Sequence, residues 1–429
     1  MANISYWIKE KFWMTPAIFS ILAVLLSIGF FYVDLLLVER YKEFIPSILL
    51  TKVDLAKTIM GTLSGALLTM STFTFSTILV VLTMYSSQFS PRALKNFVHD
   101  KVTWRVLGVF LGGFIYNTLS LLFMRDDLYT HDVISTFIGI LIAFYCLATF
   151  TYFIHYIATT VQVGKLVDEL IEDTERVISR YQDLQEEKIT VSKSLYWSPS
   201  GSKHVVAAKK EGYLQFLALD KLKNYAEEHE LQIEINAAIG DFIYEGMSVM
   251  HIYSDEDEDF EMEDFCSIGN ERLAEQDISY ALQKLVEIAL RAISPGINDP
   301  NTANDIIIRI GSLLGKIGHL ETGNLVLLDQ NGNQTVLYHF PSYENILYNV
   351  YFQLSHYGKE DISVLFSMAD SLQIAAKICP DYHHPTLWKI QLYVLEVLKD
   401  QDLKSYDHKF LQGKVNALAE ATKNRPISI

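Results

Sequence analysis

Four stretches without a charged side chain dominate the first third of the chain. Residues 12–33 run 22 positions, 58–91 run 34, 106–124 run 19, and 133–164 run 32 when His155 is neutral. A helix needs about 20 apolar residues to cross a hydrocarbon core of about 30 Å. Each stretch therefore predicts a membrane span, with Leu, Ile, Val and Phe supplying the surface that partitions into lipid. The first follows Lys9, Glu10 and Lys11 but is too long for a signal peptide and lacks a small-residue cleavage site. With three spans after it, it reads as a retained helix. Stretches two and four exceed a bilayer's needs, since 34 helical residues reach about 50 Å. The pattern predicts that they project past the headgroups, the fourth running on into residues 167–181.

Beyond residue 190 the period shortens. Extended runs at 205–208, 213–216, 233–235, 242–244 and 248–252 surround a helix at 221–229. The run from Ile239 to Gly246 puts Gly-Asp before a strand and Gly after it, which is similar to the turn of lipoyl-type sandwich hybrid barrels. No lysine occupies a matching hairpin, so a small barrel-like sheet without a swinging cofactor is expected. Residues 274–293 are amphipathic, with Ile278, Leu282, Leu285, Val286 and Ala289 on one face. A hairpin at 325–328 and 334–340 turns around Asn331-Gly332, and helices follow at 343–356, 362–378, 386–398 and 403–422. The expected fold is a polytopic α-helical membrane protein with four transmembrane helices and a cytoplasmic α+β domain (a small β-barrel-like sheet plus a helical bundle). Its parts are a transmembrane domain at 1–165, a connecting helix at 166–190, a β-rich subdomain at 191–268 and a mainly helical subdomain at 269–429.

Charge sharpens this division. Residues 1–160 hold 11 Lys/Arg and 9 Asp/Glu, whereas the remainder holds 24 and 42, so the net charge of −16 belongs to the C-terminal part. Such a surface repels phosphate backbones, which excludes nucleic acid as a partner. Seven basic residues (Lys9, Lys11, Arg92, Lys95, Lys101, Arg105, Lys165) flank one side of the spans and five (Arg40, Lys42, Lys52, Lys57, Arg125) the other. That bias places both termini in the cytoplasm. The scattered Cys146, Cys266 and Cys379 form no CxxC and suit a reducing compartment. No histidine spacing matches a metal motif, His383-His384 being an adjacent pair, so no metal or cofactor is expected. Residues 254–264 hold eight acids but lack the glycine of a calcium loop, and read as a solvated segment.

Candidate chemistry is concentrated in the second span. It carries twelve Ser/Thr between Thr58 and Ser87. Steps of four and three pick out Thr58, Thr62, Gly65, Thr69, Thr72, Ser76, Thr83 and Ser86, with Leu79 the one interruption. That spacing lays small and hydroxylated side chains along one helix face. The stripe serves either close helix packing or the lining of a water-filled path between subunits, where hydroxyls replace part of an ion's hydration. Two ionisable groups lie within the spans: Asp34, expected at the interface, and His155 among Tyr152, Phe153 and Tyr156. Two loops are candidates for coupling. Ser90-Pro91-Arg92 caps an amphipathic segment with Leu94, Phe97 and Val98. Ser294-Pro295-Gly296-Ile297-Asn298-Asp299-Pro300 is either a rigid corner or, at the start of the helix after it, an anion site backed by Arg291 and Arg309.

These motifs together carry a resemblance. Ser90-Pro91-Arg92-Ala93-Leu94 after a Ser/Thr-rich span, Glu275-Gln276-Asp277 opening a helix, and the run from Arg291 to Pro300 resemble an uncharacterised bacterial family of predicted membrane proteins. The resemblance covers essentially the whole chain, and the SPGINDP run is its specific part. It implies a bacterial cytoplasmic (inner) membrane protein and supplies no catalytic residue. The functional expectation is a homo-oligomer in the lipid bilayer, an ion channel or transport pore lined by span two and gated by the cytoplasmic domain. A non-conducting sensor or scaffold whose acidic domain binds a partner or small ligand is the other class. No nucleophile elbow, phosphate loop or metal motif points to an enzyme.

Overall fold

The computed structural model describes residues 14–41, 44–88, 101–125, 132–160, 163–185, 190–192, 197–255, 260–329, 331–397 and 403–429. The chain divides into two compact units, Met1–Lys165 and Leu166–Ile429.

The N-terminal unit holds four helices long and apolar enough to cross a membrane. They are α1 (Met14–Val33), whose end widens into π-type turns over Asp34–Val38, α2 (Val53–Gln88), α3 (Lys101–Phe123) and α4 (Ser135–Thr160). With 36 residues, α2 reaches about 54 Å at the usual helical rise. The most enclosed is α3, which packs on α1, α2 and α4. Glycines make this possible. A Cβ on Gly108 would sit 2.9 Å from the Phe19 ring and 3.1 Å from Pro16 Cα, and one on Gly112 3.2 Å from the Phe19 carbonyl oxygen. Gly113 admits Cys146, Ile142 and Leu67, and Gly139 of α4 admits Met60 and Asn117. Small residues thus let backbones approach where no hydrophobic effect drives helices together in lipid. Met60, Leu67, Phe110, Tyr116 and Phe153 fill the interior.

In the C-terminal unit, α5 (Val163–Asp183) precedes a mixed region of β1 (Thr190–Ser192), β2 (Ser202–Ala207), β3 (Gly212–Leu217), α6 (Leu219–Glu228), β4 (Gln232–Ile235), β5 (Phe242–Ile243), β6 (Ser248–Ser254) and β7 (Cys266–Gly269). Then come α7 (Ile278–Ala292), α8 (Pro300–Ile317), the hairpin β8 (Gly323–Leu328) and β9 (Gln334–Phe340), α9 (Tyr343–Gly358), α10 (Ile362–Ile378), α11 (His384–Glu396) and α12 (Ser405–Ala421). The hairpin forms where expected. Asp329 accepts from the backbone of Asn331 and Asn333 at 2.8 and 2.7 Å, and Gly332 takes φ +84°.

Among the described residues no barrel-like sheet forms. The strands make two open sheets, one ordered β1-β8-β9-β4-β6-β2 and one ordered β5-β3-β7. The reason is a long-range pairing. β9 lies parallel to β4, with Ile233 opposite Val336 and Ile235 opposite Tyr338, and so inserts the distant hairpin into the sheet. One sheet face buries Ile233, Ile235, Met250, Ile252, Val336 and Tyr338, with α6 packed on β4 and β9. In the helical part α8 lies close against α10, since Gly311 meets the Ser371 backbone and Gly315 the Ile378 side chain.

Candidate functional site

The stripe of α2 points away from the bundle. Ala56, Met60, Ser64, Leu67, Ser71, Thr74, Ile78 and Val81 form its buried side. At 100° per residue the opposite side carries Thr58, Thr62, Gly65, Thr69, Thr72, Ser76 and Thr83, all exposed. Ser86 belongs to the same helix. Large apolar side chains flank the stripe, with Phe73 and Val80 toward one edge and Leu68 and Phe75 toward the other, again exposed. The stripe therefore does not pack within the subunit, where that work falls to the glycines of α3 and α4.

The hydroxyls share one local geometry. Thr58, Thr62, Thr69, Thr72 and Thr83 each donate to the carbonyl four residues back, at 2.8–3.0 Å. β-Branched threonine holds this rotamer easily in a helix. Each proton is thus committed to the backbone, and the oxygen lone pairs remain for an outside donor or cation. Gly65 has nothing within 4 Å of where a Cβ would stand, so the groove in mid-helix is open to a neighbour.

Asp34 is bound within the protein at the ends of two spans. It is buried, and it accepts hydrogen bonds from the backbone of Ile134 and Ser135 at the start of α4. Beside it Thr51 and Val133 exchange backbone hydrogen bonds, and the Tyr116 hydroxyl donates to the Ser135 carbonyl at 2.9 Å. His155 is exposed on α4, next to buried Phe153. Ser90, Pro91 and Arg92, with the amphipathic segment after them, lie outside the described residues.

The SPGINDP run is a helix–helix corner. Ser294 Oγ donates to the Arg291 carbonyl at 2.6 Å, Asn298 takes φ +53° and donates its N–H to Ser294, and Pro300 opens α8. Asp299 caps α8, accepting from Thr302 N at 3.2 Å and Thr302 Oγ1 at 2.6 Å. Its carboxylate already occupies the helix terminus where an anion would sit, and Arg309 pairs with Asp168 and Asp305. Pro295 and Gly296 are exposed at the tip. The histidine pair is likewise engaged: His384 Nε2 lies 2.9 Å from the Ala376 carbonyl, and the His383 ring lies 4.1 Å from that of Tyr343, tilted by 39°.

Glu275-Gln276-Asp277 proves to be a clip. The Gln276 amide exchanges hydrogen bonds with the Leu217 backbone at 2.9 and 3.1 Å, while its carbonyl accepts from the Tyr181 hydroxyl at 2.8 Å. Asp277 caps α7 through Tyr280 N at 2.8 Å and pairs with Arg272 at 2.6 Å, filling the space beside Gly240. Burial pushes the Asp277 carboxyl up against the pull of Arg272. Gln276 and Leu217 of this joint line a cleft of about 910 Å³ between α5, β3 and the start of α6. Tyr181 and Tyr338 line it, both phenols pushed up by burial, and its charged lining is mixed, with Arg176, Arg180 and Lys221 beside Glu172, Glu175, Asp183 and Asp220. Sequence reasoning did not anticipate this cleft, because its walls come from segments as far apart as Glu172 and Tyr338.

Similar proteins are themselves without assigned activity. The chain is 26% identical over 339 residues to "Uncharacterized protein MT1328" of Mycobacterium tuberculosis (strain CDC 1551 / Oshkosh) and to "Uncharacterized protein Mb1321c" of Mycobacterium bovis (strain ATCC BAA-935 / AF2122/97). The alignments cover 76% of this chain and 64% of each relative, so the chain spans about two thirds of their length. No solved structure gives a significant match. The family described as "Predicted membrane protein (DUF2254)" matches residues 9–373, with the four apolar helices inside the match, and the chain belongs to that family.

Proposed function

We propose that this membrane protein assembles into a homo-oligomer in a bacterial cytoplasmic membrane, with both termini in the cytoplasm. The outward faces of α2 come together there to line a path for a small cation. The observation that carries the proposal is the placement of the stripe, which turns away from its own bundle and presents hydroxyl oxygens whose protons are bound to the backbone. Oxygens of this kind replace part of a cation's hydration without the tight binding of a carboxylate. A stripe facing lipid would leave these oxygens unused, whereas subunits meeting at α2 use them. The C-terminal unit regulates the path.

The test is flux of K⁺, Na⁺, Mg²⁺ and Cl⁻ through purified protein in liposomes, with particle mass measured in parallel. Conductance in an oligomer, altered in selectivity by Thr69→Ala with Ser76→Ala, is the expected result. A monomeric particle with no flux for any of these ions overturns it.

The cleft beside Tyr181 and Tyr338 favours a second reading, in which the acidic unit senses a small ligand and nothing is conducted. The same double substitution would then leave function unchanged.

A further inference from the structure

One face of the six-stranded sheet, which buries Val326, Leu328 and Leu337 under Trp197 at one end, carries a part-buried polar group outside both the stripe and the cleft. Ser248 and His251 lie three residues apart on β6, and in a regular strand that spacing sends side chains to opposite faces. Here the pairing slips. Val206 stands opposite Met250 while Ala207 stands opposite Ser248, so β6 accommodates an extra residue and Ser248 turns to the face of His251. Ser248 Oγ lies 3.0 Å from His251 Nε2. The other ring nitrogen, Nδ1, lies 3.1 Å from Glu234 Oε2 on β4, directly across the ladder. The Tyr253 hydroxyl donates to the same carboxylate oxygen at 2.7 Å and holds it in place. Asn236 Nδ2 is 3.0 Å from each ring nitrogen and 3.3 Å from Ser248 Oγ.

A serine, an imidazole and a carboxylate in this order form the nucleophile, base and orienting group of acyl transfer. A carboxylate at Nδ1 selects the tautomer protonated there, which leaves Nε2 free to take the serine proton. Burial alone would raise Glu234, but the hydrogen bonds from Tyr253 and His251 and the nearby Lys203 outweigh it, so the carboxyl stays below its ordinary range and ionised. The side chains are only part-buried, and on β2 Val205, 60% exposed, stands opposite His251 while Ala207 stands opposite Ser248.

We propose that Ser248, His251 and Glu234 constitute a hydrolytic site for small carboxylic esters, independent of conduction. Ser248 Oγ attacks the carbonyl carbon as its proton passes to His251 Nε2. The carbonyl electron pair moves onto oxygen, toward the Asn236 amide donor. Collapse of that intermediate expels the alcohol, which takes the proton from His251. Water, deprotonated by His251, then attacks the acyl-serine, and the carboxylic acid leaves with Ser248 restored.

The test uses the full chain in detergent with a fluorophosphonate probe, in which an Oγ–P bond forms as fluoride leaves, and with p-nitrophenyl acetate. Peptide mapping is expected to place the adduct on Ser248. Ser248→Ala should abolish labelling, and His251→Ala should slow ester cleavage by about 1,000-fold or more. Unfolding midpoints confirm that each variant is folded. Because wild-type labelling is decisive by itself, an unfolded variant does not blunt the test. Absence of an adduct on Ser248 while a reference serine hydrolase is labelled overturns the proposal, as does equal esterase activity in folded Ser248→Ala.

Discussion

The carboxylate of Asp34 caps the helix that begins at Ser135, a residue 101 positions further along the chain. It accepts from Ile134 N at 2.7 Å and from Ser135 N at 3.3 Å. The first N–H groups of a helix have no intrahelical partner, and the helix dipole favours a negative charge there. Asp34 is 1% exposed, so little water is at hand to replace this bond. Asp34→Ala is expected to lower stability by about 1–3 kcal/mol, and Asp34→Asn, which keeps an acceptor, by less. Thermal unfolding in detergent measures both, and an Ala variant as stable as the parent would remove the cap from the account.

Two glycines in the membrane unit should respond oppositely. A methyl on Gly108 meets the Phe19 ring and the Pro16 backbone, so Gly108→Ala should cost about 1–3 kcal/mol. Gly65 faces open space within the subunit. Gly65→Leu should therefore leave the subunit's unfolding midpoint nearly unchanged while shifting the assembly toward smaller particles. Size-exclusion chromatography with light scattering reads the second effect, and an unchanged particle mass would place the α2 interface elsewhere.

Gln391 is 1% exposed on α11, and neither end of its amide has a hydrogen-bond partner among the described residues. Burying an unsatisfied amide costs about 1–3 kcal/mol. Gln391→Leu, close to it in volume, should raise the unfolding midpoint of the C-terminal unit. A lower midpoint would mean that the amide is satisfied.

Glu234 supplies a pH dependence with a definite sign. Its carboxyl is held below the ordinary value of 4.5 because hydrogen bonds from Tyr253 and His251 outweigh the effect of burial. A depressed folded-state pKa adds stability that is present above the unfolded value and is lost as pH falls through the folded one. The stability gap between the wild type and Glu234→Gln should therefore be largest at neutral pH and close below pH 4.5. A gap constant from pH 7 to pH 3 would contradict this origin.

Much of the architecture was legible in local periodicity. Charge-free runs located the four spans, and alternation placed β2, β3, β4 and β6 to within a few residues. β1 and β7 escaped, β1 being three residues with one apolar side chain and β7 four residues that end in glycine. The six-stranded sheet, with β9 parallel to β4, was illegible, since strand partners a hundred residues apart leave no mark on either strand's own pattern.

The same boundary runs through the candidate sites. That α2 has a hydroxyl face follows from the sequence, because a repeat of 3.6 residues belongs to the helical backbone itself. Which way this face turns was decided by packing on the other side of α2, where Gly113 of α3 meets Leu67 and Gly139 of α4 meets Met60. The meeting of Ser248, His251 and Glu234 depended on one slipped residue in a strand pairing. Composition and spacing determine elements and their faces through the geometry of a single backbone. Orientation and juxtaposition arise from packing and hydrogen-bond satisfaction between distant segments, which exist only once the chain has folded.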